Sequence, residues 1–410
     1  ADSPKQWAIL VAGSKTYRNY RHQADVCNAY QVLHTHGVPD SRIVVMMYDD
    51  IANNPQNPDK RKIYNRPDGP DVYKGVPKDY TGDLVTPSNF LQILQGKKIK
   101  GGNQKVIASG PKDHIFVYFS GHGSTGLLRF ANGEALFASD FVAVLKTMHA
   151  AKRYAKMTIY VEACKSGSMF NGILPKNIDV YATTAANPIE SSYSCYWDAR
   201  IGTFLSNKYS ASWMEDSSAN DIRKRSLAEQ YQFVKAETVR SHVMQYGDDA
   251  MGGLMVGAFQ GDKEVKPFFW KKLLCGGTSD CDTNVAVLKH KLAAATDPVT
   301  RLSLEETLKQ TLDKRYFLET KMTKIAAYIA QGSENATKPL LSTRSVLTDF
   351  DCYKSAVLYF SDRCFSISEN TYALEHLHLL ANACDLGYTL PELRAAMDKA
   401  CTHEPVTGID

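Results

Sequence analysis

Two apolar runs end in residues that could do chemistry together. HIFVYFSGHG (114–123) finishes in Ser120-Gly121-His122-Gly123, and MTIYVEACKSG (157–167) contains Glu162-Ala163-Cys164. Short runs rich in β-branched and aromatic residues, bounded by glycine or polar residues, predict buried strands. In an open α/β sheet, ligands gather beyond the carboxyl ends of the strands. A histidine past one strand and a cysteine past its neighbour can meet there. The imidazole can take the thiol proton, and a thiolate is a strong nucleophile near neutral pH. Gly123 lets a substrate backbone approach, and its N–H with that of Cys164 would suit an oxyanion hole. Taken singly, a strand-end cysteine is usually a small buried residue, and a histidine in a Gly-rich turn is usually structural. The pair, in the order His then Cys, is what points to nucleophilic catalysis.

Positioning such a pair requires a sheet, and the first part of the chain supplies one. Besides the two runs above, WAILVAG (7–13), RIVVMMYDD (42–50), IDVYATTAA (178–186) and GGLMVGAFQG (252–261) predict strands, six in all. Helices are expected over 22–36, 139–155 and 221–246, the last ending at Gly247. Continuous apolar strands alternating with helices imply a mainly parallel sheet covered on both faces. Residues 51–82 read as a long surface loop, and 263–284 as a linker. From about 285 the pattern turns helical, with LEETLKQTLDKRYFLETKMTKIAAYIAQ (304–331) carrying apolar residues at three-to-four spacing. Residues 346–402 read as several short helices.

The 410 residues are enough for two or three domains. Charge is nearly balanced at +4 overall, which excludes a dedicated nucleic-acid binder. No apolar run is long enough to span a membrane. The opening ADSPKQWAIL has neither a basic nor an apolar leader region, so an exported chain would have lost its signal already. Six of the nine cysteines (Cys275, Cys281, Cys352, Cys364, Cys384, Cys401) crowd the last third, which suggests an oxidising compartment. Asn335-Ala-Thr337 is a glycosylation sequon compatible with that route. His34/His36 and His376/His378 are paired imidazoles without a completing carboxylate or thiol set. Neither a metal nor a cofactor is expected, and no Gly-rich phosphate loop is present.

Longer blocks carry a resemblance. VAGS (11–14), YRHQADVC (20–27), MMYDDIA (46–52), GVPKDYTG (75–82), HGSTG (122–126), YVEACKSGSMF (160–170), YATTAANPIESSYSCY (181–196) and SHVMQYG (241–247) resemble the legumains, the asparaginyl endopeptidases, in proenzyme form. The resemblance implies a caspase-like peptidase domain over 1–262, a linker or activation peptide over 263–300, and a helical prodomain over 301–410. It implies cleavage of peptides and proteins after Asn, with Asp accepted at acid pH, and inhibition by the chain's own prodomain. A lysosomal, vacuolar or secreted location follows, with transpeptidation as a possible side activity. Carried over by position, Cys164 is the nucleophile, His122 the general base and acid, and Asn19 orients the imidazole. Gly123 and Cys164 form the oxyanion hole. Arg21, His22, Glu162, Ser191 and Ser192 form the specificity pocket. A P1 carboxamide needs partners of both kinds, donors from Arg21 and acceptors from Glu162. The resemblance also implies the disulfides Cys352–Cys384 and Cys364–Cys401, with Cys27 and Cys195 free. A local Cys275–Cys281 bridge is plausible from spacing alone.

The chain departs from the family pattern in several places. Gly121 stands where an Asp commonly precedes the histidine, so succinimide formation is closed to it. Lys165 follows the cysteine where an acid is common. Asn207 stands where a second pocket carboxylate is expected, which should ease acceptance of Asp. No Asn lies at the usual processing position, which leaves Asn284, Asp282 or Asp297 as candidates, the last disfavoured by Pro298. Residues 1–262 carry 30 Lys+Arg against 25 Asp+Glu, so gross charge does not hold an acidic core to a basic prodomain. Two other readings compete, a transamidase-type relative that would need a membrane tether, and a silent binding homologue. The first is disfavoured by the cysteine-rich helical end, the second by retention of His122, Cys164, Arg21 and Glu162 together.

Overall fold

The computed structural model describes residues 3–410. Elements of the first part are β1 (Gln6–Ala12), α1 (Tyr20–Thr35), β2 (Ile43–Met46), α2 (Pro87–Leu94) and β3 (His114–Ser120). Next come the short strands β4 (Gly123–Ser124), β5 (Leu127–Arg129) and β6 (Ala135–Phe137), then α3 (Ala138–Ala150), β7 (Lys156–Glu162) and β8 (Val180–Thr184). β9 (Ser194–Asp198), β10 (Thr203–Asn207), α4 (Lys208–Ala219), α5 (Leu227–Glu237), β11 (Met244–Gly247) and α6 (Gly257–Gln260) complete it. The main sheet has the order β11-β8-β7-β3-β1-β2. All pairings are parallel except β11 on β8. This is the mainly parallel six-stranded sheet that the resemblance implies.

Successive strand residues face opposite sides, and both sides are covered. Ala8, Leu10, Phe116 and Tyr118 join one core, whereas Ile9, Val11, Ile115 and Val117 join the other. Two sequence expectations fail here. Residues 252–261 form no strand but a 3-10 turn and α6, because a short apolar run reads equally as a buried helix. The single helix expected over 221–246 is instead α5 followed by β11. A capping box starts α5, in which Ser226 Oγ accepts from Glu229 N and Glu229 accepts from Ser226 N. β11 then takes the sixth place in the sheet, pairing Met244 with Thr184.

The second part is helical: α7 (Thr283–Ala294), α8 (Pro298–Ile329), α9 (Glu334–Ser342), α10 (Phe350–Arg363), α11 (His378–Asp385) and α12 (Leu390–Ala400). α7 lies inside the stretch expected to be linker. Asp297 caps α8 by accepting from Thr300 N, with Pro298 in the first turn, so this pair starts a helix. Leu318, Met322 and Ile325 of α8 pack with Val357 and Phe360 of α10, and Leu127 and Phe137 of the first part enter the same cluster. Disulfides Cys352–Cys384 and Cys364–Cys401 tie α10 to α11 and to the end of α12. A third, Cys195–Cys275, corrects the expectation that Cys195 is free and removes the local Cys275–Cys281 bridge. It anchors the irregular stretch 263–279 to β9. Replacing Cys195 and Cys275 by Ala should lower unfolding stability by ~2–4 kcal/mol, since 80 residues separate them. Chemical denaturation of the variant against the parent checks this.

Candidate active site

Parallel pairing of β3 with β7 places Ser120 opposite Glu162. His122 and Cys164 each lie two residues beyond that register, and Gly121 N donates to Glu162 O at 3.1 Å. The two side chains line one cavity together with Asn19, Arg21 and Gly123. A Cβ on Gly123 would sit 2.5 Å from Cys164 O, so only glycine lets the two loops approach. A Cβ on Gly121 would meet the Phe119 ring at 2.8 Å and Gly13 Cα at 3.0 Å. Asn19 ends a 3-10 turn before α1, and His122 Nε2 bonds its Oδ1 at 2.8 Å. With Nε2–H donating there, Nδ1 is the nitrogen free to accept a proton.

That nitrogen is occupied. Asp280 Oδ2 lies 3.0 Å from His122 Nδ1, while Asp280 Oδ1 accepts from Arg21 Nε at 2.7 Å and lies 3.5 Å from His22 Nε2. Ser14 Oγ holds the far nitrogen of His22 at 2.6 Å. Burial alone would raise the Asp280 carboxyl, but Arg21, His22 and His122 outweigh it and hold it well below the usual range. Burial pushes His122 down, and it takes His22 to about 3. The segment bearing Asp280 is extended against residues 192–194. Ser194 N donates to Thr278 O and Asp280 N to Ser192 O, both at 2.9 Å, and Tyr193 bridges Ser279 in antiparallel fashion.

Beside Asp280, Cys281 Sγ is 3.1 Å from Cys164 Sγ. Ser192 Oγ is 3.6 Å from Cys164 Sγ, and Ser191 Oγ is 3.7 Å from Cys281 Sγ. Glu375, from the 3-10 segment Thr371–His376, accepts from Cys281 Sγ at 2.7 Å and pairs with Lys165 Nζ at 3.2 Å. Burial raises the Glu375 carboxyl, but Lys165 and Cys281 pull it down further, and it ends below its ordinary value. Lys165, in left-handed backbone at φ 54°, is lowered by burial, but Glu375, Cys281 and Cys164 together raise it further, and it ends above its ordinary value. The helical part is held to the first by further contacts, including Arg129 Nη1 to Thr371 Oγ1 at 2.7 Å and Lys354 to Asp140 at 2.8 Å. Arg315 binds Asp282 at 2.7 Å.

Two clusters among the described residues bring three donor atoms within 4.8 Å: His22, His122 and Asp280, and Cys164, Cys281 and Glu375. In the first the carboxylate is committed to Arg21, and in the second to Lys165. His34 pairs with Asp40, His36 bonds Val32 O, and His378 bonds Glu375 O and Leu341 O.

Asn207 lies outside the residues lining the cavity in this state. It ends β10 fully buried, its Nδ2 donating to Asp25 Oδ2 at 2.8 Å and its Oδ1 without a partner. Asp25 also accepts from Asn65, Ser206 and Ser120, yet burial raises its carboxyl to about 6. Glu162 accepts from Ser210 N and Oγ on Oε2 and leaves Oε1 unpartnered. Burial, then Asp25, raises it well above the ordinary range. The residues missed in the sequence are Asp280, Cys281 and Glu375. Asp280 lay within a recognised linker, but no periodicity marked it. A raised folded carboxyl contributes less stability as pH climbs from about 4 to 6. Asn207→Asp would place a second carboxyl 2.8 Å from Asp25, sharing a proton at acid pH and repelling above it. Its melting temperature should fall more at about pH 7.5 than at about pH 5, read by scanning calorimetry at both.

The comparisons agree with this geometry. Residues 6–262 match the Peptidase C13 family and residues 306–401 match "Legumain, prodomain". Rat legumain is 47% identical over 98% of this chain and 93% of its own length. Human legumain is 46% identical over 98% and 94%. The Arabidopsis thaliana vacuolar-processing enzyme beta-isozyme is 40% identical over 97% and 86%. A solved caspase-1 from Spodoptera frugiperda overlays 64% of this chain and 92% of that one at TM-score 0.37 and 11% identity. A thiol and an imidazole past adjacent parallel strands, and relatives of this likeness over nearly the whole length, establish that the chain belongs to the legumain-type peptidase C13 family of cysteine endopeptidases and carries that family's prodomain.

Proposed function

We propose that the protein cleaves peptide bonds after Asn, and after Asp at acid pH, and is made as a zymogen that acid releases. The division is taken as 1–262 for catalysis, 263–300 for the activation segment and 301–410 for the inhibitory helices. The observation that carries this reading is the segment 278–280, which pairs antiparallel with 192–194 and sets Asp280 on Arg21. An extended peptide adding to a strand edge with one side chain in a pocket is how a substrate would bind. Arg21 donates to the P1 carbonyl or carboxylate. Glu162 Oε1 and Asn207 Oδ1 are buried and unpartnered, and the NH2 of an Asn would satisfy the Asn207 oxygen where an ionised Asp would not.

With Asp280 withdrawn, His122 Nδ1 takes the Cys164 proton and Asn19 holds the ring. The sulfur attacks the P1 carbonyl carbon, and Gly123 and Cys164 N–H groups receive the oxyanion. His122 returns the proton to the leaving amine. Water then hydrolyses the thioester, or a peptide amine intercepts it. Gly121 has no carboxyl to cyclise, so ligation runs only through this thioester. The three disulfides, the exposed Asn335 on α9 and the vacuolar relative support a lysosomal, vacuolar or secreted location. Among the described residues, no helix is long and apolar enough to cross a membrane.

Acid acts on the pairing of Lys165 with Glu375. The docked Glu375 lies below its ordinary value near 4.5. The pairing therefore stabilises docking above that value and loses its contribution as pH falls toward the docked one. Glu375→Gln leaves Lys165 buried without a counter-charge, so it should release at higher pH than the parent, read as activity against a P1-Asn peptide between about pH 4 and 7. Incubation at about pH 4–5 should yield a fragment beginning at Cys281, and Cys164→Ala should stay intact. Full activity of the uncut chain at neutral pH would overturn the zymogen reading. The kcat/KM preference for P1-Asn over P1-Asp should be smaller in the parent than in Asn207→Asp, and an equal ratio would remove Asn207 from the pocket.

A further inference from the structure

We propose that Cys164 and Cys281 form a disulfide that locks the site covalently in a second, redox-controlled layer of latency. The two sulfurs are 3.1 Å apart, about 1 Å more than a disulfide bond. Both are held there by their surroundings. Cys164 follows β7, and Cys281 sits in the turn Asp280–Asp282, between the Asp280–Arg21 and Asp282–Arg315 ion pairs. Arg315 Nη2 also donates to Cys281 O at 3.1 Å.

Cysteine parity agrees. The chain has nine cysteines, and three disulfides use six. Of the remaining three, Cys27 is fully buried in the core against Met47, and the other two abut each other. A protein that acquires three disulfides meets an oxidant, and this pair is exposed to the same one. The oxidant is a small-molecule disulfide such as oxidised glutathione. One thiol, as thiolate, attacks a sulfur of that disulfide and expels one thiolate of the reagent. The second cysteine then attacks the protein sulfur of the mixed disulfide and expels the other. The two cysteines lose two electrons and two protons, and the reagent becomes two thiols.

The consequence rests on the reading of Cys164 as nucleophile, but the bond itself does not. With the bond closed, acid can undo the Lys165–Glu375 pairing without freeing the thiol, so activation requires acid and a reductant together. The test treats the full-length chain with oxidised glutathione at about pH 8, quenches it in acid and maps its peptides without reduction. A linked Cys164–Cys281 peptide that dithiothreitol dissolves is expected. So is loss of activity at about pH 5 that the same reductant restores. Cys281→Ser should give no link and activate with acid alone. Alkylation of both Cys164 and Cys281 after oxidation, with Cys352–Cys384 still bonded, would overturn the proposal. So would Cys164 found only as a mixed disulfide with glutathione. A link without any activity after reduction would instead count against the peptidase reading and leave the bond established.

Discussion

A carboxylate cut off from water has to be matched by cations at close range, or its desolvation costs several kcal/mol. Asp280 meets this condition through the buried Arg21 guanidinium, with the His22 and His122 rings beside it. Those three side chains come from the start of α1 and the end of β3, so the same groups that would read a substrate's side chain hold the chain's own. The rest of the closed arrangement follows. Seating Asp280 aligns 278–280 on 192–194, brings Cys281 against Cys164 and places the turn where Arg315 of α8 can hold it. The helical part does not merely lie over the site. It supports a short strand that occupies it.

The sheet and the meeting of His122 and Cys164 at one cavity were legible because they rest on local pattern. Two apolar runs ending in His122 and Cys164 must lie side by side if the sheet is parallel, and the register of Ser120 with Glu162 does the rest. Asn19 and the pocket residues were reachable only through resemblance, since a loop asparagine carries no periodic signal. Asp280 and Glu375 were missed because each acts through a partner far away in sequence, Arg21 and Lys165. Lys165 was noticed only as a departure from the pattern. Its meaning depends on Glu375, which sits 210 residues away. Cys195–Cys275 escaped for the same reason, a pairing across 80 residues. The strand misassigned to 252–261 shows the other limit, because apolar runs of that length do not distinguish a strand from a buried helix.

Beneath the pocket lies a second layer of buried carboxyls. Asp25 is ringed by Asn65, Asn207, Ser206 and Ser120, and Glu162 by Ser210. Burial lifts both, so the floor of the site carries less negative charge than its composition suggests. Asn207 fits that economy of charge. A third carboxyl there would sit against Asp25, whereas its amide donates to it. A substrate side chain taking the place of Asp280 would meet little net charge there beyond Arg21.

The contacts that hold the helical part do not all pass through the activation segment. Arg129 to Thr371, Lys354 to Asp140, and Arg18 to Asp410 at 2.6 Å join the two parts directly. Severing the chain near residue 280 would therefore leave two pieces still fitted together. What changes is the thermodynamic order of the association. While the chain is continuous, the helical part is held at a fixed high effective concentration that no dilution can lower. Once it is cut, the same contacts become a bimolecular equilibrium, and the occupied fraction depends on how much protein surrounds it. Crowding in a storage compartment would keep the pieces joined, and dispersal would part them.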